Sequence, residues 1–385
     1  MLAERQETEV PLITETPKPK SRIQSVDLTR GIVVLLSVFL GNLPSGSYEF
    51  LHHAEWYGLT ITDLVFPAFM TLFGAGMAIA YFKKVKWRKL LKRTVGFIIL
   101  GLIFNIIVGW NLDFSTLRFT GVLQVFAVTG ILLVLLTRII RSWWGAAILA
   151  LIIVSSHTGL LLSYSQECTQ GLPQADCNIG ITADKMLISE NHLYWQGERG
   201  YDPEGVLTIP GALGNVLLGY AAGILIMLYR GDRVSLKLGG LAVTIGFSGF
   251  ISYQFLPINK RLWTGSFTLT SAAITIGFLA LMYLFFDDSK KPVNTNGIRK
   301  PTWLIEAFGR NSLLIYFGKF ILTAILVNIS ISSVPAQENT TLYNALLQWI
   351  ESWSSYPALT FAGLILLFWT LVAAILHKLH WYVRL

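Results

Sequence analysis

Ten windows of about 20 apolar residues, separated by short polar segments, restrict this chain more than any other feature. They lie near residues 28–44, 63–82, 94–110, 120–138, 142–163, 208–229, 236–254, 266–286, 311–329 and 357–377. A bilayer core offers no water to peptide N–H and C=O groups, so segments this apolar must be helical if they span it. Charged residues make up only 14% of the 385 residues and mean hydropathy is +0.57, whereas a soluble domain is about 25% charged. The expected fold is an all-α, polytopic membrane helical bundle of about ten or eleven transmembrane helices. Residues 1–25 carry Pro11, Pro17, Pro19 and scattered charges with no apolar run, so they read as a tail and not as a cleavable signal. Residues 26–385 read as one transmembrane domain.

Lysine and arginine set the expected orientation. The segment from Lys83 to Arg93 has seven basic residues in eleven. With ten spans, the basic segments around Arg138 and Arg141, Arg230 and Arg233, Lys290 to Lys300, and Lys378 to Arg384 fall on that same side. That side is then cytoplasmic, with both termini inside. The net charge of +8 is a topology signal, and no nucleic-acid partner is expected. His52, His53 and His192 then lie outside, with His157 near the outer end of its span. The longest polar stretch, residues 163–207, is also outside and could act as a lid over His53. It contains Cys168 and Cys177, nine residues apart, which can close a disulfide in an oxidising compartment or stay as two thiols in a packed loop.

His53 is the side chain with the most chemistry. It sits between two apolar windows, with Asp63 ten residues on and Asn42 eleven residues back. Imidazole can take or carry an acyl group near neutral pH.

Several strings, in order, resemble one family. Ser25-Val-Asp-Leu-Thr-Arg-Gly31, Asn42, and His53-Ala-Glu-Trp-Tyr-Gly-Leu-Thr-Ile-Thr-Asp-Leu-Val-Phe-Pro67 are similar to the heparan-α-glucosaminide N-acetyltransferases, multi-pass enzymes of lysosomes with bacterial relatives. The resemblance continues through Leu117-Arg-Phe-Thr-Gly-Val-Leu-Gln124, Asn191-His-Leu-Tyr194, Tyr201-Asp-Pro-Glu-Gly205 and Pro257-Ile-Asn-Lys-Arg-Leu-Trp263. It implies acetyl transfer from cytosolic acetyl-CoA to the amine of a terminal glucosamine, or to a cell-envelope glycan, across the membrane. It makes the match to His53 the active-site residue, as nucleophile or as general base. It also implies self-association, hence a homodimer. The extra domain that precedes the first span in the lysosomal enzyme has no counterpart here, which sets the expectation of a bacterial plasma (inner) membrane with the active site towards the extracytoplasmic face.

Roles for the other residues follow with their plain alternatives. Asp63 orients His53 as the acid of a triad does, or caps the second span. Asn42 donates its amide to the oxyanion on the thioester carbonyl, or satisfies a helix end. Asp202, Glu204, His192 and Tyr194 can hold a protonated amine and stack on a pyranose, or form a solvated loop. Asn259, Lys260 and Trp263 join them across a short outer loop, or act as an interfacial Trp-Lys anchor. Arg118 and Gln124 enter on the resemblance alone.

At the inner face Arg22, Arg30, Arg310 and Arg384 lie near span ends, and Gly309-Arg-Asn-Ser312 opens the ninth span. Arginines with the free N–H groups of Asn311 and Ser312 suit the phosphates of acetyl-CoA, although positive-inside bias yields the same residues. Lys319 falls seven residues into an apolar span, about 10 Å at 1.5 Å per residue. It is a functional charge or a snorkelling one.

Phosphate-cradling Gly-rich loops, zinc-spaced His/Cys clusters and Gly-x-Ser-x-Gly elbows do not occur in the sequence, so no metal is expected. The competing reading is a proton-coupled transporter of an amino sugar or acidic solute, with His53, Asp63 and Lys319 as relay. The matched half-repeats common in transporters are not visible.

Overall fold

A computed structural model describes residues 23–82, 84–230, 232–288, 302–331 and 340–383. Arg22 and Arg384, like the tail to residue 22, lie outside the described residues. In chain order the helices are α1 (Gln24–Leu40), α2 (Val65–Tyr81), α3 (Trp87–Gly109), α4 (Val122–Thr137), α5 (Trp143–Tyr164), α6 (Ile179–Ile188), α7 (Ile209–Leu228), α8 (Val234–Phe255), α9 (Gly265–Phe286), α10 (Trp303–Arg310), α11 (Ser312–Asn328), α12 (Leu342–Glu351) and α13 (Pro357–Lys378). A two-stranded antiparallel pair, β1 (Ser330–Ile331) with β2 (Thr340–Thr341), precedes α12 and is the one departure from an all-α fold among the described residues.

Each of the ten apolar windows overlaps one helix. Six described helices, α3, α5, α7, α8, α9 and α13, are long and apolar enough to cross a bilayer, and α10 with α11 makes a seventh as a pair bent by 76°. The protein is thus a helical, multi-pass membrane protein. α2 and α4 are shorter apolar helices of 17 and 16 residues. The segment expected to be a polar loop, residues 163–207, holds α6 and several single 3-10 turns.

Local chemistry sets the helix ends. Ser142 accepts the Gly145 N–H at the start of α5, Asn178 that of Ile181 at α6, and Thr264 that of Phe267 at α9, each a side chain satisfying a free first-turn donor. Pro occupies the first turn of α7 and α13, where it has no N–H to waste. At the other end of the bundle Asp287, just past α9, accepts the N–H groups of Gln24 and Ser25 at 3.2 and 2.8 Å and so caps α1 from a distance in sequence.

α7 is the axis of the bundle and is buried over most of its length. Lipid tails are as apolar as Leu, so contact between membrane helices depends on close approach. A Cβ on Gly74 of α2 would lie 2.0 Å from the Val216 carbonyl oxygen, and one on Gly219 of α7 only 1.8 Å from that of Thr71. Gly219→Ala is therefore expected to force α2 and α7 apart and to cost about 1–3 kcal/mol, as overpacking does. A fall in the thermal midpoint of the detergent-solubilised variant checks this.

The segments joining α1 to α2, α3 to α4, α5 to α7 and α8 to α9 meet at one end of the bundle. Gly58 N–H donates to the Ile258 carbonyl at 2.9 Å, Trp56 Nε1 and Tyr57 Oη both donate to Pro173 O at 2.9 and 2.6 Å, and Arg118 pairs with Asp202. This end carries His53.

Candidate active site

The loop that follows α1 tightens through a left-handed Tyr48 (φ 50°) and a single 3-10 turn over Glu49–Leu51. Thr62 Oγ1 donates to Leu51 O, and the His52 ring bonds to Ser47 O at 2.7 Å, so His52 is spent on the loop itself. His53 instead meets Asp63, Nδ1 to Oδ1, at 2.7 Å. The other Asp63 oxygen accepts the backbone N–H groups of Ala54 (3.2 Å) and Thr60 (3.0 Å) and the Thr60 hydroxyl (3.0 Å). α2 has no side-chain cap. Asp63 is thus turned back towards His53, away from the helix it precedes.

Asp63 is 1% exposed while the His53 side chain keeps 48% of its surface. The partner is sealed and the ring is reachable. Burial alone would raise the Asp63 carboxyl, but the His53 hydrogen bond, the charges of Lys260 and His53, and the Thr60 N–H hold it down to about 2. An ionised oxygen 2.7 Å from Nδ1 requires Nδ1 to carry the hydrogen. Nε2 is then the basic nitrogen. Burial of part of the ring, with the charges of Lys260 and Arg261, sets the His53 pKa below its ordinary value against the pull of Asp63.

Lys260 and Arg261 arrive from the α8–α9 turn. Asn259 builds that turn: its Oδ1 accepts the Leu262 N–H at 3.0 Å, and its own N–H donates to Thr264 Oγ1 at 3.0 Å. Lys260 Nζ lies 2.9 Å from His53 Nδ1, 3.2 Å from Nε2 and 3.6 Å from Asp63 Oδ1. Arg261 donates to Glu55 O at 3.0 Å and to the Tyr201 hydroxyl, and lies over the Tyr201 ring at 4.9 Å.

Asn259 and Trp263 were expected in an outer binding loop, and the fold turns both inward. Asn259 is fully buried, and Trp263, at φ 51°, sends its Nε1 to Asn215 Oδ1 of α7 at 2.9 Å and packs on Phe66. Trp263 is a core residue and not an interfacial anchor.

The expected sugar-binding residues meet one another. Arg118 donates to Asp202 at 2.5 Å and Glu204 at 2.7 Å, with its guanidinium 4.7 Å from the Tyr194 ring centre. Asp202 is buried and also accepts Thr120 Oγ1 (2.5 Å), Tyr194 N–H (2.9 Å) and Glu204 N–H (3.0 Å), so its lone pairs are taken. His192 stacks on Phe119 at 4.0 Å and bonds to Leu117 O at 2.8 Å. These contacts tie residues 117–120 to residues 192–204 and make a wall. Gln124 packs against Gly101 and Gly121, with both amide atoms buried and unpartnered among the described residues. Cys168 and Cys177 form a disulfide in the strand of loop that bears Pro173.

A cavity of about 360 Å³ runs below this end. Its lining includes Val65 and Phe66, in the first turn of α2 two residues past Asp63, and continues past Phe69 and Phe73 to Met77. Val65 to Met77 is twelve steps along α2, about 18 Å at 1.5 Å per residue. Arg30, Arg93, Arg310 and Ser312 line the far end. The Nε atoms of Arg93 and Arg310 are buried without a hydrogen-bond partner among the described residues, and the Arg93 guanidinium lies 5.1 and 5.3 Å from the Phe73 and Phe97 ring centres. Arg310 also donates to the Tyr382 hydroxyl at 3.2 Å, and Val383 joins the lining, so the segment after α13 borders the same end.

Two expected participants sit elsewhere. Lys319 is buried and donates to Ser37 O (2.5 Å) and Ser37 Oγ (2.7 Å), joining α11 to the last turn of α1. It does not line the cavity. Asn42 donates one Nδ2–H to Val38 O at 2.7 Å and accepts Thr323 Oγ1 at 3.1 Å, so it joins the same α1–α11 contact. Asn311 marks the break between α10 and α11, its Nδ2 on Ala307 O at 3.3 Å.

The family model described as heparan-alpha-glucosaminide N-acetyltransferase, catalytic, matches residues 22–233, more than half of the chain. The chain belongs to this family. It is 26% identical over 362 positions to the heparan-alpha-glucosaminide N-acetyltransferase of Homo sapiens, covering 77% of this chain and 52% of that one. It is 27% identical over 375 positions to that of Mus musculus, covering 78% and 54%. The chain thus spans about half the length of the curated relatives it matches.

Within this heparan-alpha-glucosaminide N-acetyltransferase family member, His53, Asp63, Arg93, Arg118, Asp202 and Glu204 fall inside the matched region, while Lys260, Arg261 and Arg310 lie beyond it. The sequence does not single out Arg93, the last of the seven basic residues from Lys83 that together carry the orientation signal. Its position four residues before Phe97 on one helix face was the signal available. Tyr201 and Arg261, whose contact ties the α8–α9 turn to the loop carrying the disulfide, are likewise not singled out.

Proposed function

We propose that this protein transfers an acetyl group from acetyl-CoA to the amine of an amino sugar, with His53 as the general base. The single observation that carries this reading is a cavity lined by arginines at one end whose other end reaches the turn of α2 immediately after the His53–Asp63 pair. The donor set fits a nucleotide phosphate: Arg30, Arg93 and Arg310 converge on the far end, and two of them carry buried Nε donors that no described residue satisfies. Positive-inside charge bias supports placing that end in the cytoplasm and His53 outside.

The thioester supplies an activated acyl carbon. The protein's own share is to hold phosphates with arginine, to line the arm's path with Phe69, Phe73, Phe126 and Tyr316, and to present Nε2 of an oriented imidazole. Most free glucosamine nitrogen is protonated near neutral pH, so a base beside the attacking amine is needed. The half-buried Tyr194 and Trp56 rings beside Arg118, Glu204 and Arg261 supply apolar surface and charges suited to a pyranose. A transporter relay loses its third member, because Lys319 shares no hydrogen bond with His53 or Asp63 among the described residues.

The test is turnover of purified protein with radiolabelled acetyl-CoA and glucosamine. Labelled N-acetylglucosamine and free CoA should appear in equal amounts, with intersecting initial-rate plots and no label on the protein. Label on His53 and parallel plots would assign it as nucleophile. Absence of saturable acetyl-CoA binding would return the transporter reading.

A further inference from the structure

The nearly equal distances from Lys260 Nζ to the two ring nitrogens of His53, 2.9 and 3.2 Å, fix where that ammonium stands. A point in the plane of an imidazole and equally far from both nitrogens at this range would collide with the carbon between them. Nζ therefore lies over the face of the ring. The in-plane lone pair of Nε2 is left open, while Nδ1–H stays on Asp63. The same ammonium is 3.6 Å from Asp63 Oδ1, so one carboxylate serves both groups.

We infer that Lys260 is a positioning residue for acetyl transfer: its ammonium, tied to Asp63 and laid on the His53 ring, clamps the imidazole in place and disfavours a second positive charge there. A cation is drawn to the face of a neutral imidazole and repelled by an imidazolium. Lys260 thereby keeps Nε2 unprotonated before the reaction and hastens loss of the proton after it. The step balances from the neutral amine, its ammonium proton having gone to solvent: the amine nitrogen forms a C–N bond to the acyl carbon, the C–S bond breaks, and one amine proton passes to Nε2 and then to the departing thiolate.

The surrounding charges are few. Asp63, Lys260 and Arg261 act on His53; Asp63, Glu204, Arg261 and, from α11, Lys319 act on Lys260. Burial lowers the Lys260 ammonium to about 8, opposed by Asp63 and Glu204, so it stays charged through neutral pH and releases its proton in mild alkali. The sign follows. With Lys260 charged, His53 resists protonation, so the active base form persists to lower pH. Removing the charge moves the acid limb of the rate profile upward.

This inference rests on His53 acting as base, and the test separates the two. Histidine-labelled protein in micelles is titrated by NMR, with the His53 signal identified by its loss in His53→Gln. Lys260→Met should move the His53 titration to higher pH, while Lys260→Arg stays near wild type. Turnover of Lys260→Met should fall at least about threefold at the pH where wild type is half-maximal and recover towards pH 8. Should Lys260→Met fold poorly, Lys260→Cys measured before and after aminoethylation removes and restores the amine in one preparation. A His53 titration unmoved by loss of the charge, with only the KM for glucosamine raised, overturns the inference and makes Lys260 a sugar-binding residue. A His53 titration that moves in Lys260→Met, in a protein whose wild type shows no acetyl transfer, overturns the acetyltransferase reading and leaves the clamp standing.

Discussion

His53→Ala is expected to lower acetyl transfer by at least about a hundredfold while acetyl-CoA binds as before. General acid–base groups contribute about 10²–10⁴ to rate, and the proposed donor contacts to phosphate lie at the opposite end of the cavity, about 18 Å away along α2. Calorimetric binding beside a turnover assay separates the two effects. Asp63→Asn serves as the companion, since it keeps the size of the partner but removes the charge that fixes Nδ1–H. A His53→Ala protein retaining more than about a tenth of wild-type turnover would remove this ring from the chemistry.

The second large effect is expected at Arg93. Its guanidinium lies beside the paired Phe73 and Phe97 rings on the cavity wall, with a buried Nε that finds no described partner. A well-formed charge-assisted contact to phosphate contributes about 1.5–3 kcal/mol, so Arg93→Ala should weaken acetyl-CoA binding by about ten- to a hundredfold. A pantetheine thioester without phosphates should bind the variant and the wild type alike. Equal losses for both ligands would show that Arg93 supports the helix packing and not the donor.

What the sequence disclosed depended on range. Helices were legible because each apolar window is continuous and its peptide groups have no alternative in lipid. His53 and Asp63 lie within ten residues of one another in a single loop, so spacing alone brought them together. Lys260 is 207 residues from His53, and only the meeting of two turns at one end of the bundle makes them neighbours. Trp263 misled for a local reason: beside a lysine at a span end it has the composition of an interfacial anchor, but a left-handed backbone at that residue turns the indole back onto Asn215 of α7. Asn42 and Lys319 are a different case. Both are polar groups in apolar surroundings, and a structural bond across the contact between α1 and α11 accounts for each position, which no sequence pattern displays. Buried polar groups need partners whether or not they do chemistry.

The border that Tyr382 and Val383 form at the arginine end of the cavity has a practical side. An affinity handle or fluorescent protein joined close behind them would crowd the rim of the end where the donor phosphates are proposed to bind. Purification handles and surface tethers are better placed away from that rim. A small environment-sensitive dye attached there becomes a direct optical gauge of donor occupancy, with a response that Arg310→Ala should blunt, because Arg310 lines the cavity and donates to Tyr382, which also bonds to His377.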